Sequence, residues 1–182
     1  MIQYQFTKEG YIKIPITQQI LQRAKQREFK ADKRTYLEAN RDIGFIGEEI
    51  YQTIFHDATL MKGYEYDFNW KDFRIEIKTK KRKVYPRDSY EATIPEYTMD
   101  KEICDIFVFF SFVNRTDAYL LGWITHEDFI RKSIFRPKGF RDTNGVVYKE
   151  GTYDLKILHL ERFNSFLTCC AFGFDKGEYE LE

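Results

Sequence analysis

The sequence has few cysteines and no long apolar run. Its three cysteines, Cys104, Cys169 and Cys170, form no disulfide or metal pattern, because vicinal cysteines rarely bridge and an iron–sulfur cluster needs four thiolates. We interpret them as small buried or incidental residues. No segment approaches the roughly 20 consecutive apolar residues that span a bilayer, so we expect no membrane association.

Other signals are also missing. The first eight residues lack the apolar core and the cleavage site of a signal peptide, which predicts a cytoplasmic, intracellular protein of cellular or viral origin. No glycine-rich phosphate loop follows a predicted strand, which argues against an ATP-driven motor. The histidines His56, His126 and His159 are isolated and form no zinc motif, so we expect structural or surface roles for them.

The chain has 182 residues, of which 18% are aromatic and 32% charged, and this predicts one domain over residues 1 to 182. Its formal net charge is zero, which by itself argues against a nucleic-acid partner. The charge is separated along the chain, however, since residues 78 to 87 carry cations and no acid, whereas the tail from 175 to 182 is acidic. The cations are Lys78, Lys80, Lys81, Arg82, Lys83 and Arg87.

The N-terminal third predicts a basic helix over about residues 17 to 39, capped by Thr17. Because this segment is rich in lysine and arginine and poor in apolar residues, it is either a solvated surface helix or a helix lying along a phosphate backbone.

A second helix is predicted over residues 42 to 55, with an isoleucine stripe at helical spacing. Gly47 falls on this stripe. Since glycine inside a helix costs about 1 kcal/mol relative to alanine, we expect the helix backbone to approach a sheet closely there. Glu48 and Glu49 flank the stripe on opposite sides, and periodicity alone does not choose between them.

Residues 73 to 80 alternate as a strand, which sends Arg74, Glu76, Lys78 and Lys80 to one face. Residues 63 to 68 predict an antiparallel partner strand, with 69 to 72 as the turn. This turn places Asp67 opposite Arg74 and diagonal to Glu76, and a slip of one residue would move Asp67 to the other face. Glu65 then lies opposite Glu76 as a reserve metal ligand.

Strands and a short helix are predicted after the basic run. Residues 104 to 113 are almost continuously apolar, which predicts a strand buried on both faces in the sheet centre. Residues 118 to 124 return as the next strand, Thr125 and Asp128 predict the cap of a helix through residue 132, and 153 to 160 alternate as a late strand. The motif core spans about residues 42 to 124.

Asp67, Glu76 and Lys78 bring together two carboxylates and an amine, a set that suits phosphodiester hydrolysis. Mg²⁺ is a hard cation that one or two carboxylates and water hold, and the Ile77 carbonyl could complete the protein's share. A cation beside Lys78 would lower the pKa of its amine, so that Lys78 could orient or deprotonate the attacking water.

These residues resemble the PD-(D/E)xK phosphodiesterase superfamily, in which a helix bearing an acid precedes a strand with Asp and a strand with Glu-x-Lys. Residues 44 to 48, Gly-Phe-Ile-Gly-Glu, are similar to the Gly-x-x-Gly-Glu start of many members, which selects Glu48 over Glu49. Asp67 matches the family's aspartate, and Glu76, Ile77 and Lys78 match its Glu-x-Lys. Tyr66 replaces the proline that usually precedes the aspartate.

The resemblance implies an α/β (α+β) fold with a restriction-endonuclease-like mixed central β-sheet flanked by helices. It also implies a Mg²⁺-dependent endonuclease, with Mn²⁺ as substitute, that cuts DNA to leave a 5′-phosphate and a 3′-hydroxyl. Glu48, Asp67, Glu76 and Lys78 would be catalytic, with Glu48 at a second metal or a metal-bound water. The small size fits a phage or mobile-element nuclease, a resolvase of branched DNA or a compact restriction enzyme.

The basic run is interpreted as a DNA-contacting segment, in which Lys80, Lys81, Arg82, Lys83, Arg87 and Tyr85 meet phosphates or stack on bases. The competing interpretation of this run is a solvated loop. For the site as a whole, three interpretations compete with a DNA nuclease: a solvated strand face with salt bridges among Arg74, Glu76 and Lys78, a nucleic-acid-binding module that does not cut, and an RNA nuclease. The chain could nick as a monomer or cut both strands as a homodimer.

Overall fold

The computed structural model describes residues 4–30, 41–61, 65–99, 103–114, 116–142 and 145–163. In these residues the strands are β1 Gln5–Phe6, β2 Ile12–Pro15, β3 Thr59–Leu60, β4 Phe68–Trp70, β5 Phe73–Arg82, β6 Glu91–Pro95, β7 Ile106–Val113, β8 Asp117–Thr125, β9 Ile134–Arg136 and β10 Thr152–Lys156. The helices are α1 Gln18–Lys30, α2 Arg41–Ile54, α3 Glu96–Met99 and α4 His126–Lys132, followed after β10 by a 3-10 helix, Ile157–His159.

The main sheet is mixed and has the strand order β1-β2-β8-β7-β5-β4-β3. β5 and β7 run parallel, and the other neighbours pair antiparallel. Every residue of β7 is buried, which confirms the predicted central strand. The predicted mixed central sheet flanked by helices is therefore present.

The two faces of this sheet are covered differently. α1 and α2 pack on one face, where Ile46 and Ile50 of α2 join Ile77 of β5 in one core cluster. A second, antiparallel sheet of order β6-β10-β9 packs on the other face together with α4, and its Ile94 joins Phe109 of β7 in a separate cluster. The second sheet was not predicted from the sequence, because β6 and β9 are short and β6 pairs with a strand far along the chain.

Gly47 lies where α2 crosses β5. A Cβ atom built on this glycine would overlap Thr79 Oγ1 and would lie 3.2 Å from Thr79 Cβ and 3.3 Å from Ile77 Cγ2. The close helix–sheet approach predicted from this glycine is thus confirmed, and it holds α2 tightly against β5.

The hairpin before the Glu-x-Lys segment differs from the prediction. The partner strand is β4 at Phe68–Trp70 rather than residues 63 to 68, and Trp70 pairs with Phe73 across a two-residue turn. In this turn Lys71 adopts a φ of 52°. Trp70 is buried, and its indole N–H donates to Asp57 Oδ1 at 2.8 Å, so Trp70 belongs to β4 rather than to the turn. Residues 62–64 lie outside the described chain.

Three other predicted boundaries of helices and strands fall within or at the edge of the described residues. Thr125 caps α4 by accepting from the Asp128 N–H at 3.2 Å, as predicted. The late strand ends at Lys156 and continues as a 3-10 helix, shorter than predicted. The basic helix is described to Lys30, and the rest of its predicted range lies outside the described residues. No described helix has the length and apolar character needed to cross a membrane.

Candidate active site

Asp67 lies where the pairing of β4 with β5 ends. Phe68 pairs with Ile75, and the Asp67 N–H then donates to the Ile75 carbonyl at 3.0 Å. The Asp67 Oδ2 atom accepts a hydrogen bond from the Ile77 N–H at 2.8 Å. The carboxylate thus accepts from the Ile77 N–H, which has no backbone partner on β4, and this bond holds Asp67 beside the Glu-x-Lys segment.

The observed register moves Asp67 by two residues relative to the prediction. Continuing the pairs Asn69 with Arg74 and Phe68 with Ile75 places Asp67 opposite Glu76 rather than Arg74. Because side chains alternate with a period of two, this slip keeps Asp67 on the face of Glu76. Glu65, the predicted reserve ligand, is exposed and lies before β4.

Glu76 and Lys78 lie on the face of β5 shared with Phe107 and Phe109, their register partners on β7. The Lys78 Nζ atom is 3.0 Å from Glu76 Oε1, and the two side chains are 17% and 13% exposed. This pair is largely withdrawn from water, unlike the solvated pair that a strand surface would carry.

The two adjacent glutamates of α2 have different surroundings. Glu49 is buried and bonds to the arginines of α1, with Arg27 Nε at 2.8 Å and Arg23 Nη1 at 3.5 Å from its oxygens. Glu48 lies near the sheet acids, and its carboxylate repels that of Glu76. The structure therefore places Glu48 at the site and Glu49 in the contact between α1 and α2.

Two of the three site carboxylates, Asp67 and Glu48, have raised pKa values, and the charge of Glu76 contributes to both. Burial raises the pKa of Asp67 well above its usual range, and repulsion from Glu76 and Glu48 raises it further. Burial also raises the pKa of Glu48 to about 7, against the attraction of Arg27 and with added repulsion from Glu76 and Glu49. Strongly perturbed carboxylates with specific charged neighbours are a common property of functional sites.

The donor set fits a hard divalent cation, because clustered carboxylate oxygens are the ligands that Mg²⁺ prefers and a cation would relieve their repulsion. Asp67, Glu76 and Glu48 would hold it. Within the described part of the chain, however, no three acidic, histidine or cysteine side chains are already grouped closely enough to hold a metal ion. In this arrangement Lys78 bonds to Glu76, and the Ile77 N–H bonds to Asp67.

The Ile77 carbonyl was the predicted backbone ligand. The Ile77 N–H points toward Asp67, at the edge of β5 that β4 leaves. Since the N–H and C=O of one strand residue point to the same side, the Ile77 carbonyl faces this edge as well.

Two residues of the basic run, Lys80 and Arg82, bond to β6 of the second sheet, although Lys80 is exposed. Lys80 Nζ donates to Thr93 Oγ1 at 3.0 Å, and burial lowers the pKa of Lys80. Arg82 Nε donates to Ser111 Oγ of β7 at 2.9 Å, its Nη2 donates to the Glu91 carbonyl of β6 at 2.7 Å, and its guanidinium lies over the Tyr90 ring at 5.2 Å from the centroid. These two predicted DNA contacts therefore have partners within the protein.

The other predicted DNA contacts lie at the surface. Lys81, Lys83 and Arg87 are exposed. The Tyr85 hydroxyl donates to Glu9 Oε2 at 2.6 Å, and Tyr85 as a whole residue is 36% exposed. Tyr85 and Arg87 also line a cleft of about 810 Å³. Its other walls include Phe6, Lys8, Lys13 and Tyr119.

Arg74 does not bridge to the acids of the site through the contacts that the structure shows. Its guanidinium makes a two-pronged pair with Asp105, at 2.8 Å and 3.1 Å, and its backbone N–H donates to the same carboxylate. Asp105 thereby ties the start of β5 to the start of β7. Arg74 is therefore not part of the salt-bridged strand face that was the competing interpretation of this site.

Sequence reasoning missed Arg27, which contacts both glutamates of α2. From the sequence, Arg27 was predicted only to lie on the basic helix over about residues 17 to 39. A signal existed, since Arg23 and Arg27 are four residues apart and so share a helix face. Nothing in the sequence, however, said that this face meets α2.

No protein-family model and no curated protein matches this chain.

Proposed function

We propose that this protein is a Mg²⁺-dependent endonuclease that hydrolyses phosphodiester bonds in DNA. One observation carries the proposal: the carboxylates of Glu48, Asp67 and Glu76 repel one another in a largely buried region, with the Lys78 ammonium 3.0 Å from Glu76. Clustering like charges away from water is unfavourable for folding alone. A bound divalent cation that catalysis needs would offset this repulsion, which explains why the carboxylates are clustered.

Each residue has a role in this proposal. Asp67 and Glu76, together with the Ile77 carbonyl, would hold the metal ion, and Glu48 would hold a second ion or a water on the first. When bound, Mg²⁺ neutralises charge on the phosphoryl oxygens and favours ionisation of water. Lys78 would then exchange its contact with Glu76 for the attacking water. As an ammonium it would orient this water through Nζ, and after losing a proton to solvent beside the cation, the neutral amine would accept the proton of the water.

The DNA would approach over the surface side of the basic run. Lys81, Lys83 and Arg87 are exposed there, and the cleft that includes Tyr85 offers aromatic faces for unpaired bases. Lys80 and Arg82 support this proposal indirectly, because they bond to Thr93 and to the Glu91 carbonyl and so fix β5 against the second sheet.

A module that binds nucleic acid without cutting is the second candidate, and the ion pair between Lys78 and Glu76 favours it. In that protein the ammonium would neutralise Glu76 permanently, and no metal ion would enter. An RNA nuclease is a third candidate, since the carboxylate cluster does not distinguish the sugar.

The test combines substrate, metal and variant. Purified protein is incubated with supercoiled plasmid, single-stranded DNA, branched DNA and matched RNA, in Mg²⁺, Mn²⁺ or EDTA. Cleavage is expected in Mg²⁺ or Mn²⁺ only, and Lys78→Ala should lower its rate at least about 100-fold. Lys156→Ala, at an exposed lysine of β10 outside the proposed site, is the control and should retain the wild-type rate.

The three candidates give different results. A binding module would bind the nucleic acids in EDTA and would nick none of them in Mg²⁺. Cleavage of RNA alone would replace the DNA assignment, and undiminished cleavage by Lys78→Ala would remove the assigned site.

A further inference from the structure

Arg27 of α1 contacts both glutamates of α2. Its Nε donates to Glu49 Oε2 at 2.8 Å, its Nη2 donates to Gln52 Oε1, and its Nη1 lies 3.6 Å from Glu48 Oε2. The Arg27 side chain is 13% exposed, so these contacts form away from bulk water. The Nε and Nη2 donors of the planar guanidinium bond to two acceptors at once, whereas Nη1 makes no hydrogen bond and meets Glu48 only as an ion pair.

The same guanidinium reaches the strand that follows the aspartate. It lies over the ring of Phe68, at 5.8 Å from the centroid, and Phe68 directly follows Asp67. Phe68 is fully buried and pairs with Ile75 of β5. One side chain therefore joins α1 to α2 and to the β4 end of the site.

Arg23, one helical turn earlier, has a different position. Its Nη1 lies 3.5 Å from Glu49 Oε1, and its side chain is 51% exposed. Both arginines thus contact Glu49, but the contact with Glu48 that the structure shows comes from Arg27. The docking of α1 on α2 and the placement of Glu48 can therefore be separated by substitution.

We propose that Arg27 is a positioning residue of the active site, which holds the Glu48 carboxylate toward Asp67 and Glu76. This inference rests on the proposed function, since it sets Glu48 for a divalent metal ion. Residues that hold metal ligands in place typically change metal affinity by about 10- to 100-fold when replaced. Arg27 does not contact substrate in this proposal, and its effect passes through Glu48.

The experiment measures Mn²⁺ binding by calorimetry on the full chain without DNA. Arg27→Gln should weaken Mn²⁺ binding about tenfold or more, because Glu48 loses the group that orients it. Glu49→Gln is the matched control: it breaks the same contact between α1 and α2 but leaves Arg27 beside Glu48. Its Mn²⁺ affinity should stay within about twofold of wild type, and so should that of Arg23→Gln.

The result that overturns the proposal is an equal loss of affinity in Arg27→Gln and Glu49→Gln, or no loss in Arg27→Gln. If Arg27→Gln does not fold, as judged by circular dichroism, Arg27→Lys decides instead. Its single ammonium keeps the charge near Glu49 but cannot bond Glu49 and Gln52 while reaching Glu48, so weaker Mn²⁺ binding is again expected. Wild-type protein that binds no Mn²⁺ would overturn the metal site itself, whereas unaffected variants overturn only this inference.

Discussion

The Asp67 carboxylate accepts a hydrogen bond from the Ile77 N–H at 2.8 Å, so one side chain both closes the end of the β4–β5 pairing and supplies an acid to the site. The bond also orients the edge of β5, because it fixes the direction in which the Ile77 carbonyl points. The structural and the chemical role of Asp67 can be separated, since only the second needs a negative charge.

Asp67→Asn should retain the fold and lose cleavage. The amide oxygen can still accept from Ile77, and asparagine cannot ionise in a site where burial and repulsion disfavour the charged carboxylate, so the free energy of unfolding should stay at or above the wild-type value. Asp67→Ala should lower the free energy of unfolding by about 1–2 kcal/mol, because the Ile77 N–H loses its partner. Urea denaturation and plasmid cleavage measure the two roles, and wild-type cleavage by Asp67→Asn would contradict the proposed one.

The raised pKa of Glu48 predicts a pH dependence of stability in metal-free protein. Its pKa rises from 4.5 to about 7 on folding, so between these values the folded state holds a proton that the unfolded chain releases. The free energy of unfolding should therefore fall as pH rises through this window. Glu48→Gln cannot ionise and should make the fall smaller, as measured by urea denaturation in EDTA from pH 5 to pH 8.

An exposed glutamate provides the control for this measurement. Glu127 of α4 is exposed, and Glu127→Gln should leave the slope of stability against pH as in wild type. Asp67 has a pKa raised in the same direction, so part of the fall should persist in Glu48→Gln. A slope unchanged by Glu48→Gln would mean that Glu48 is not in the charged cluster.

Two glycines of α2 should respond in opposite directions to alanine. Gly47→Ala places a Cβ against Thr79 Oγ1, and such overpacking should lower the free energy of unfolding by about 1–3 kcal/mol. Gly44 has no atom within 4 Å of a built Cβ, so Gly44→Ala should raise it by up to about 1 kcal/mol through helix propensity. Thermal and urea denaturation check both, and equal effects would show that α2 does not pack on β5 at Gly47.

The surface cations of the basic run should affect DNA binding without affecting stability. Lys81→Ala combined with Lys83→Ala should weaken binding in EDTA and reduce the slope of log K against log salt by about 0.9 for each phosphate that the protein no longer neutralises. Arg82→Ala should instead lower the stability of the fold, because Arg82 bonds to Ser111 and to the Glu91 carbonyl. Fluorescence anisotropy over a salt series measures the slope. An unchanged slope in the double variant would place DNA elsewhere.

Local patterns were sufficient for part of the site. The alternation of residues 73 to 80 placed Glu76 and Lys78 on one face, and the structure brings them to 3.0 Å. The uniformly apolar segment predicted β7, and Gly47 predicted the close approach of α2 to β5. These features depend on neighbouring residues or on one steric constraint, and both can be seen in the sequence.

The register of the hairpin was not predicted, because it depends on the burial of Trp70. Asn and Asp indicated a four-residue turn, but the indole packs against Phe55 and bonds to Asp57, both of which come from just after the end of α2. The error of two residues left Asp67 on the correct face only because the period of a strand is two.

The sequence by itself determined which residues alternate on β5, which segment forms the central strand and where a helix must come close to a sheet, because these follow from spacing and side-chain volume. Only the tertiary structure showed that Glu49 pairs with Arg23 and Arg27 while Glu48 lies near the other acids, and that Lys80 and Arg82 contact a second sheet. These pairings depend on contacts between elements far apart in the chain. Several side chains of the same charge could make each contact, and the packing of the elements determines which one does.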